Sequence, residues 1–259
     1  MSRFRVMQFN MQFGRVWDSA NPDHAPIDLA RTIAEIRAHN ADIMLLQEVE
    51  QAQPRGFQAN PPPNFTRLKS AFPEYHSYFR YPKADPRELP FGVGLAIFSR
   101  TPLRNIRHWD LPSPHIHFEF QGKTSTPTDR LMIAADTRIG GRVLHVFNTH
   151  LLAFFMLDSS SEVHGEQRKL VVKRLHGLRG PTLIGGDFNV TKLESLLRQF
   201  RAAGYRPVQS KKITWRRRPY VLDHIFYNPG LRRVAHKVKA TPASDHHILV
   251  ADFEFADRA

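Results

Sequence analysis

The chain has 259 residues, 41% of them hydrophobic, no cysteine, and 37 basic against 24 acidic residues for a formal charge of +13. That composition excludes a disulfide framework, a thiolate zinc site and a thiol nucleophile, and no stretch reaches the roughly 18 to 20 apolar residues of a membrane span. The excess positive charge favours polyanionic partners, nucleic acid or anionic lipid, because long-range attraction raises encounter rates with them.

In chain order, Met1–Val6 turns polar too soon for a signal peptide, so we expect cytoplasmic residence. Phe4–Phe9 reads as a strand, and Asp28 as the N-cap of a helix whose Leu29, Ile33 and Ile36 share one face. Ile43–Leu46 is apolar throughout, which suits a strand buried on both faces. Pro61–Pro63 and the long Arg104–Asp129 stretch read as loops facing a substrate. Further strands are predicted at Val93–Ser99, Leu131–Thr137, Val143–Thr149, Thr182–Gly185, Leu222–Tyr227 and Ile248–Phe255. Helices are predicted at Glu162–Leu178 and Leu193–Ala203, the second closed by Gly204. The pattern is mixed α/β without an internal repeat or composition break, so one domain is expected over residues 1–259.

Polar residues sit where these strands end. Asn10 follows Val6–Phe9, Glu48 follows Leu45–Gln47, Asn148 and His150 close one strand, Asp187 and Asn189 follow another, and Asp245–His246 precede Ile248. Strand ends at one rim of a sheet converge in space, and carboxylates gathered there repel one another unless a cation neutralises them. The oxygen donors Glu48, Asp187 and Asp245, with Asn10 and Asn189 as neutral donors, favour Mg²⁺ or Mn²⁺ over zinc. Taken singly, Gly185–Asn189 reads equally well as a turn, and Leu46–Val49 as a strand ending at the surface.

Taken together, Gln8–Gln12, Leu45–Val49, Gly92–Ser99, Asn148–Leu151, Gly186–Asn189, Leu222–Phe226 and Ser244–His247 resemble, in order, the motifs of the endonuclease/exonuclease/phosphatase superfamily, the DNase I-like fold. The resemblance implies a four-layer α/β sandwich, two packed mixed β-sheets flanked by helices, with the site at one end. It implies that Glu48 holds a divalent metal with Asn10 and Asp245, and that Asp187 and Asn189 orient the attacking water and the phosphate. His246 would act on that water or stabilise the phosphorane, with Asp223 on its other ring nitrogen, and His150 would contact a phosphate oxygen or help the leaving group. Arg130 sits where nuclease branches carry a phosphate-clamping arginine. Gln12 stands where some nuclease branches have an acid, which leaves a further metal contact there in question.

The expected reaction is metal-dependent hydrolysis of a phosphate ester by in-line attack of water. Twelve Lys or Arg face one acid, Asp223, between Arg198 and Lys239, and Ile213–Tyr220 places Trp215 and Arg216 among them. Basic residues interleaved with aromatics suit phosphate gripping plus base stacking, so nucleic acid is the expected substrate. The alternative is a phosphatase or phospholipase-type esterase acting on inositol phosphates or sphingomyelin, for which the apolar Leu151–Leu157 is the candidate membrane contact. A non-enzymatic nucleic-acid-binding module is a third reading, opposed by the presence of every matched site residue. No obligate protein partner is inferred.

Overall fold

Strand alternation sorts the central side chains of this chain into three apolar layers. The computed structural model describes residues 3–89, 91–120 and 122–256; Met1, Ser2 and Gln121, within stretches read above, lie outside them. Its strands are β1 (Arg3–Asn10), β2 (Ile43–Gln47), β3 (Glu50–Gln51), β4 (His76–Arg80), β5 (Gly92–Val93), β6 (Leu95–Ser99), β7 (Arg104–Leu111) and β8 (Phe118–Phe120). There follow β9 (Lys123–Ser125), β10 (Arg130–Ile139), β11 (Arg142–His150), β12 (Thr182–Asp187), β13 (Arg206–Pro207), β14 (Asp223–Tyr227), β15 (Leu231–Lys239) and β16 (Ile248–Phe255). The helices are α1 (Leu29–Arg37), α2 (Pro63–Ala71), α3 (Glu166–Leu175) and α4 (Leu193–Ala202).

Two six-stranded sheets result, ordered β15-β16-β1-β2-β6-β4 and β13-β14-β12-β11-β10-β7. Each has a parallel pair at its centre, β1 with β2 and β11 with β12, and antiparallel neighbours outside it. On β1 and β2, Val6, Ile43 and Leu45 turn inward to meet Ile133, Val146 and Leu183 of the other sheet. The intervening Met7, Met44 and Leu46 turn outward onto Leu29 and Ile36 of α1 and Leu68 of α2. On the second sheet Met132, Phe147 and Ile184 turn outward onto Val171 and Leu175 of α3 and Leu196 and Phe200 of α4. This is the four-layer α/β sandwich of the sequence reading, and the all-apolar Ile43–Leu46 is explained by burial on both faces.

Local chemistry fixes the element ends. The Asp28 carboxylate accepts the Arg31 N–H at 3.0 Å and caps α1. Gly204 follows the end of α4 with φ +87°, a conformation open to glycine at little cost. Gly185 and Gly186, legible also as a turn, lie inside β12. A Cβ on Gly185 would come within 2.5 Å of Leu45 in the opposite sheet, and one on Gly186 within 2.2 Å of the Thr149 carbonyl. Their missing side chains let the two sheets and the β11–β12 pair close up.

Several expectations need correction. The predicted helix Glu162–Leu178 is shorter: Glu162 lies in the preceding turn, where its carboxylate pairs with Arg168, and Gly177 at φ +76° lies beyond the helix end. Arg104–Asp129 is not a loop throughout, since it contains β7 and the β8–β9 hairpin. Pro63 opens α2 from its first position, where a missing N–H costs nothing. Among the described residues no helix is long and apolar enough to cross a membrane.

Candidate active site

The parallel pairs decide where the site forms. Both members of each pair end at the same rim, so Asn10 and the turn at Glu48 leave one sheet where His150 and Asp187 leave the other. β14 starts at that rim, with Asp223 opposite Asp187, and β16 starts just after His246. Alternation does the rest. Val6, Gln8 and Asn10 share the inner face of β1, as do Leu45 and Gln47 on β2, and Val146, Asn148 and His150 on β11. The layer between the sheets is therefore apolar at its centre and turns polar toward one end.

Just beneath the rim is a fully buried chain of amides. Gln8 Nε2 donates to Gln47 Oε1 at 2.6 Å and to Asp223 Oδ1 at 2.9 Å, and Gln47 Nε2 donates to Asn148 Oδ1 at 2.7 Å. Asn148 in turn donates to the Leu46 and Ala96 carbonyls. Each sheet thus orients polar groups of the other. Sequence reading passed over Gln8 and Gln47, although their place in step with Val6 and Leu45 marks them as inward-facing polar residues.

At the rim, Asn10 Nδ2 bridges Glu48 Oε1 at 2.9 Å and Asp187 Oδ2 at 3.0 Å, while its oxygen accepts the Gln12 N–H. Expected as an oxygen donor, Asn10 instead presents its amide nitrogen to the carboxylates. Asp187 Oδ2 also lies 3.7 Å from His150 Nε2 and 3.7 Å from His246 Nε2. His246 Nδ1 contacts Asp223 Oδ2 at 2.8 Å, so Asp223 is held from both sides, by His246 and by Gln8. Asn189, at φ +50°, donates its side-chain amide to the Leu151 carbonyl and its backbone N–H to Asp187 Oδ1. Glu48 sits at φ +48° against Gly92, where a Cβ would come within 2.1 Å of its carboxylate.

Burial sets the electrostatics. Desolvation raises Glu48 to about 6, with the Asn10 N–H opposing it, and desolvation together with Asp223 raises Asp187 to about 8. For His246 desolvation works against the charge, but Asp223 and Asp187 outweigh it and raise the imidazole to about 10. His150 is pushed well below its ordinary value by burial and by Arg130. Two buried carboxylates that resist ionisation are a set a cation would relieve. Glu48, His150 and Asp187 offer one ligand atom each within 4.8 Å of one another, a donor set that fits a divalent metal.

These groups form the floor of a cleft of about 630 Å³. One wall carries Phe91 and Phe120, in edge contact at 5.3 Å, and the other carries Phe155 against Trp215 at 5.5 Å. Arg130 reaches the cleft with its Nε buried and unpartnered. The 213–220 segment divides differently from expectation. Trp215 is buried and donates its Nε1–H to Asp245 Oδ2 at 3.1 Å. Arg216 lies over Trp17 and against His247, away from the cleft, and Arg217 lines it. Arg217 Nε donates to Asp245 Oδ2 at 2.6 Å, so Asp245, expected at the metal, is paired with a guanidinium. Nothing in Arg216–Arg218 tells from sequence which of three arginines turns inward. Leu151–Leu157 contributes a short 3-10 turn, Phe154–Leu157, whose Phe154 is buried and whose Met156 is 59% exposed at the cleft.

Comparison with known proteins agrees with this architecture. A UPF0294 protein of Yersinia pseudotuberculosis is 31% identical over 119 residues, 44% of each chain, so the match spans less than half the length of that relative. The solved endonuclease/exonuclease/phosphatase of Bacteroides vulgatus superposes with a TM-score of 0.73 at 18% identity, over 99% of this chain and 100% of that one. That of Beutenbergia cavernae gives 0.72 at 20% identity, over 99% of this chain and 72% of the other. The model of the Endonuclease/Exonuclease/phosphatase family matches residues 7–246, a span that contains every residue of the site from Asn10 to His246. The chain belongs to this family.

Proposed function

We propose that the chain is a Mg²⁺- or Mn²⁺-dependent phosphodiesterase that cleaves nucleic acid by in-line attack of water. The observation that carries this reading is the meeting of His246, His150 and Asn10 on one Asp187 oxygen, at 3.7, 3.7 and 3.0 Å, beside Glu48. Glu48, Asp187 and His150 would hold the cation, which when bound supplies charge stabilisation to the phosphate oxygens. Asp187, fixed by the Asn10 amide and the Asn189 N–H, is suited to orient the attacking water and, in its ionised form, to take its proton, the raised pKa making that carboxylate the stronger base. His246, kept protonated by Asp223, directs Nε2–H toward the cleft to donate to the oxygen on which charge develops. Arg130 supplies a guanidinium for a second phosphate oxygen.

Aromatic walls on both sides of a cleft lined by Arg15, Arg87 and Arg130 support a nucleic-acid substrate, since bases stack on such faces while guanidinium groups grip phosphates. Met156 at 59% and Phe91 at 36% exposure favour a second reading, a phospholipid whose chains enter between the same walls. Single-stranded DNA, RNA, bis(p-nitrophenyl) phosphate and phospholipid vesicles, each assayed with Mg²⁺, Mn²⁺ and EDTA, separate them. Cleavage of a polynucleotide that EDTA abolishes, reduced about 100- to 10,000-fold in His246→Ala, is the expected result. Hydrolysis of vesicle lipid alone would replace the first reading by the second.

A further inference from the structure

Asp245 and its surroundings carry information about how many cations this site takes. Both carboxylate oxygens are engaged. Oδ2 accepts Arg217 Nε at 2.6 Å and Trp215 Nε1 at 3.1 Å, and Oδ1 accepts the amide of Gln12 at 3.1 Å in the orientation that also lets the Gln12 oxygen receive Arg217 NH2 at 3.2 Å. Arg217 is tied down further, by NH1 to Asp23 Oδ1 at 2.5 Å and by NH2 to the Pro22 carbonyl at 3.4 Å. Asp245 is 4% exposed, and among the described residues it belongs to neither set of acids and imidazoles close enough to share an ion, Glu48 with His150 and Asp187, or Asp187 with Asp223 and His246, of which the second is already closed by the Asp223–His246 hydrogen bond.

We propose that this chain binds one divalent cation, at Glu48, His150 and Asp187, and that the Arg217 guanidinium occupies the Asp245 carboxylate in place of a cation. The inference rests on the metal-dependent reading above. A guanidinium does not lose its proton at any accessible pH, so a dication on Asp245 would have to sit within a few ångströms of a fixed positive charge or displace it. Displacement breaks the contacts to Asp23, Pro22 and Gln12 together with the pair itself. Gln12 adds acceptor capacity at this place without negative charge, and the His246 imidazole lies on the other side, its Nε2 4.0 Å from Asp245 Oδ1. Asp245 is then a positioning residue. It orients Arg217 and Trp215 at the cleft wall and leaves cation binding to the carboxylates on the far side of His246.

The test is binding of Mn²⁺ alone, by equilibrium dialysis and electron paramagnetic resonance on the full chain. The expected result is one Mn²⁺ per chain, with affinity reduced about 10- to 100-fold or more in Glu48→Gln and changed by less than about threefold, well under the cost of losing a ligand, in Asp245→Asn. Arg217→Gln, which frees Asp245 of its cation, should admit a second Mn²⁺; circular dichroism identifies a variant that has not folded, and the Asp245→Asn comparison decides the question independently. Two Mn²⁺ on the parent protein, or a loss in Asp245→Asn as large as in Glu48→Gln, overturns the one-cation inference while leaving metal-dependent hydrolysis intact. No Mn²⁺ binding to the parent overturns both.

Discussion

Gln8 shows how much of this site is held from below. Its amide nitrogen reaches Asp223 Oδ1 at 2.9 Å, on the side of the carboxylate opposite His246, and the whole side chain is buried. A hydrogen bond to a charged group contributes roughly 1.5 to 3 kcal/mol, and this one fixes the direction in which Asp223 holds the imidazole. We expect Gln8→Leu to lower kcat at least about tenfold, the rate equivalent of about 1.4 kcal/mol, with KM nearly unchanged. In an Asp223→Asn background the same substitution should cost little more, because residues that act as a unit are not additive. Equal losses in both backgrounds would show that Gln8 acts only through packing. Gly92 bears on Glu48 in a comparable way. A Cβ there would lie 2.1 Å from Glu48 Oε2 and 2.4 Å from its Cβ, so the glutamate has to move. Gly92→Ala should therefore weaken Mn²⁺ binding about 10- to 100-fold, as the loss of a ligand's support does; unchanged affinity in a calorimetric titration would detach Glu48 from the cation.

At the scale of elements, what could be read from the sequence divides by position in the sheets. The central strands β1, β2, β6, β10, β11, β12, β14 and β16 all overlap predicted strands, because two buried faces require runs such as Ile43–Leu46 and Leu131–Ala135. Within the two six-stranded sheets the strands missed, β4, β7, β13 and β15, are the outer ones; the short β3 and the β8–β9 hairpin, outside those sheets, are missed as well. Arg104–Leu111 and Leu231–Lys239 carry charges on their exposed positions, which guards a free edge against pairing with another chain but removes the apolar signal. The same split applies to the site. Asn10, Glu48, Asp187 and His246 follow or precede apolar runs and could be found, whereas the direction of Arg217 and the reach of Gln8 across the sheets depend on packing that no local pattern encodes. The β1–β16 pair offers a test of stability at this scale. Asp252 accepts Arg5 Nε at 2.7 Å and Arg3 NH2 at 2.6 Å, and the Arg5 hydrogen bond, opposed by partial burial, holds its carboxyl below the ordinary value. A depressed carboxyl stabilises the fold above its unfolded pKa, near 4, and that stability is lost as pH falls through the folded value. With Arg3 and Arg5 52% and 39% exposed, the pairs contribute about 0.5 to 1 kcal/mol after screening. Asp252→Asn should lower the melting temperature at pH 7 and converge with the parent near pH 2; a constant gap over that range would assign the loss to shape alone.

Over the whole molecule, the charge of +13 is arranged so that part of it leads to the cleft. Lys239 pairs with Ile248, two residues after His246, and Lys237 with Val250, so exposed β15 forms a basic stripe running away from the catalytic rim. Side chains at 237 and 239 share a face by alternation, opposite the intervening Val238, which packs on the layer between the two sheets, and so lie on the sheet face that α1 covers. A small diester occupies only the cleft, whereas a polynucleotide long enough to leave the cleft would meet this stripe. Each backbone phosphate neutralised releases condensed counterions, so the logarithm of affinity for a single strand falls with the logarithm of salt by about 0.7 per contact. Reversing Lys237 and Lys239 together to Glu should reduce kcat/KM on a long single strand severalfold or more at low salt, shrink that difference as KCl rises, and flatten the salt slope by roughly one to two. Turnover of bis(p-nitrophenyl) phosphate by the same variant should stay at the parental rate, because neither lysine touches the cleft. If the small diester is hydrolysed more slowly as well, the substitutions act on the fold. If neither substrate is affected, the polyanion takes another path from the cleft, and the arginines at 15, 87 and 130 are where its phosphates must be sought.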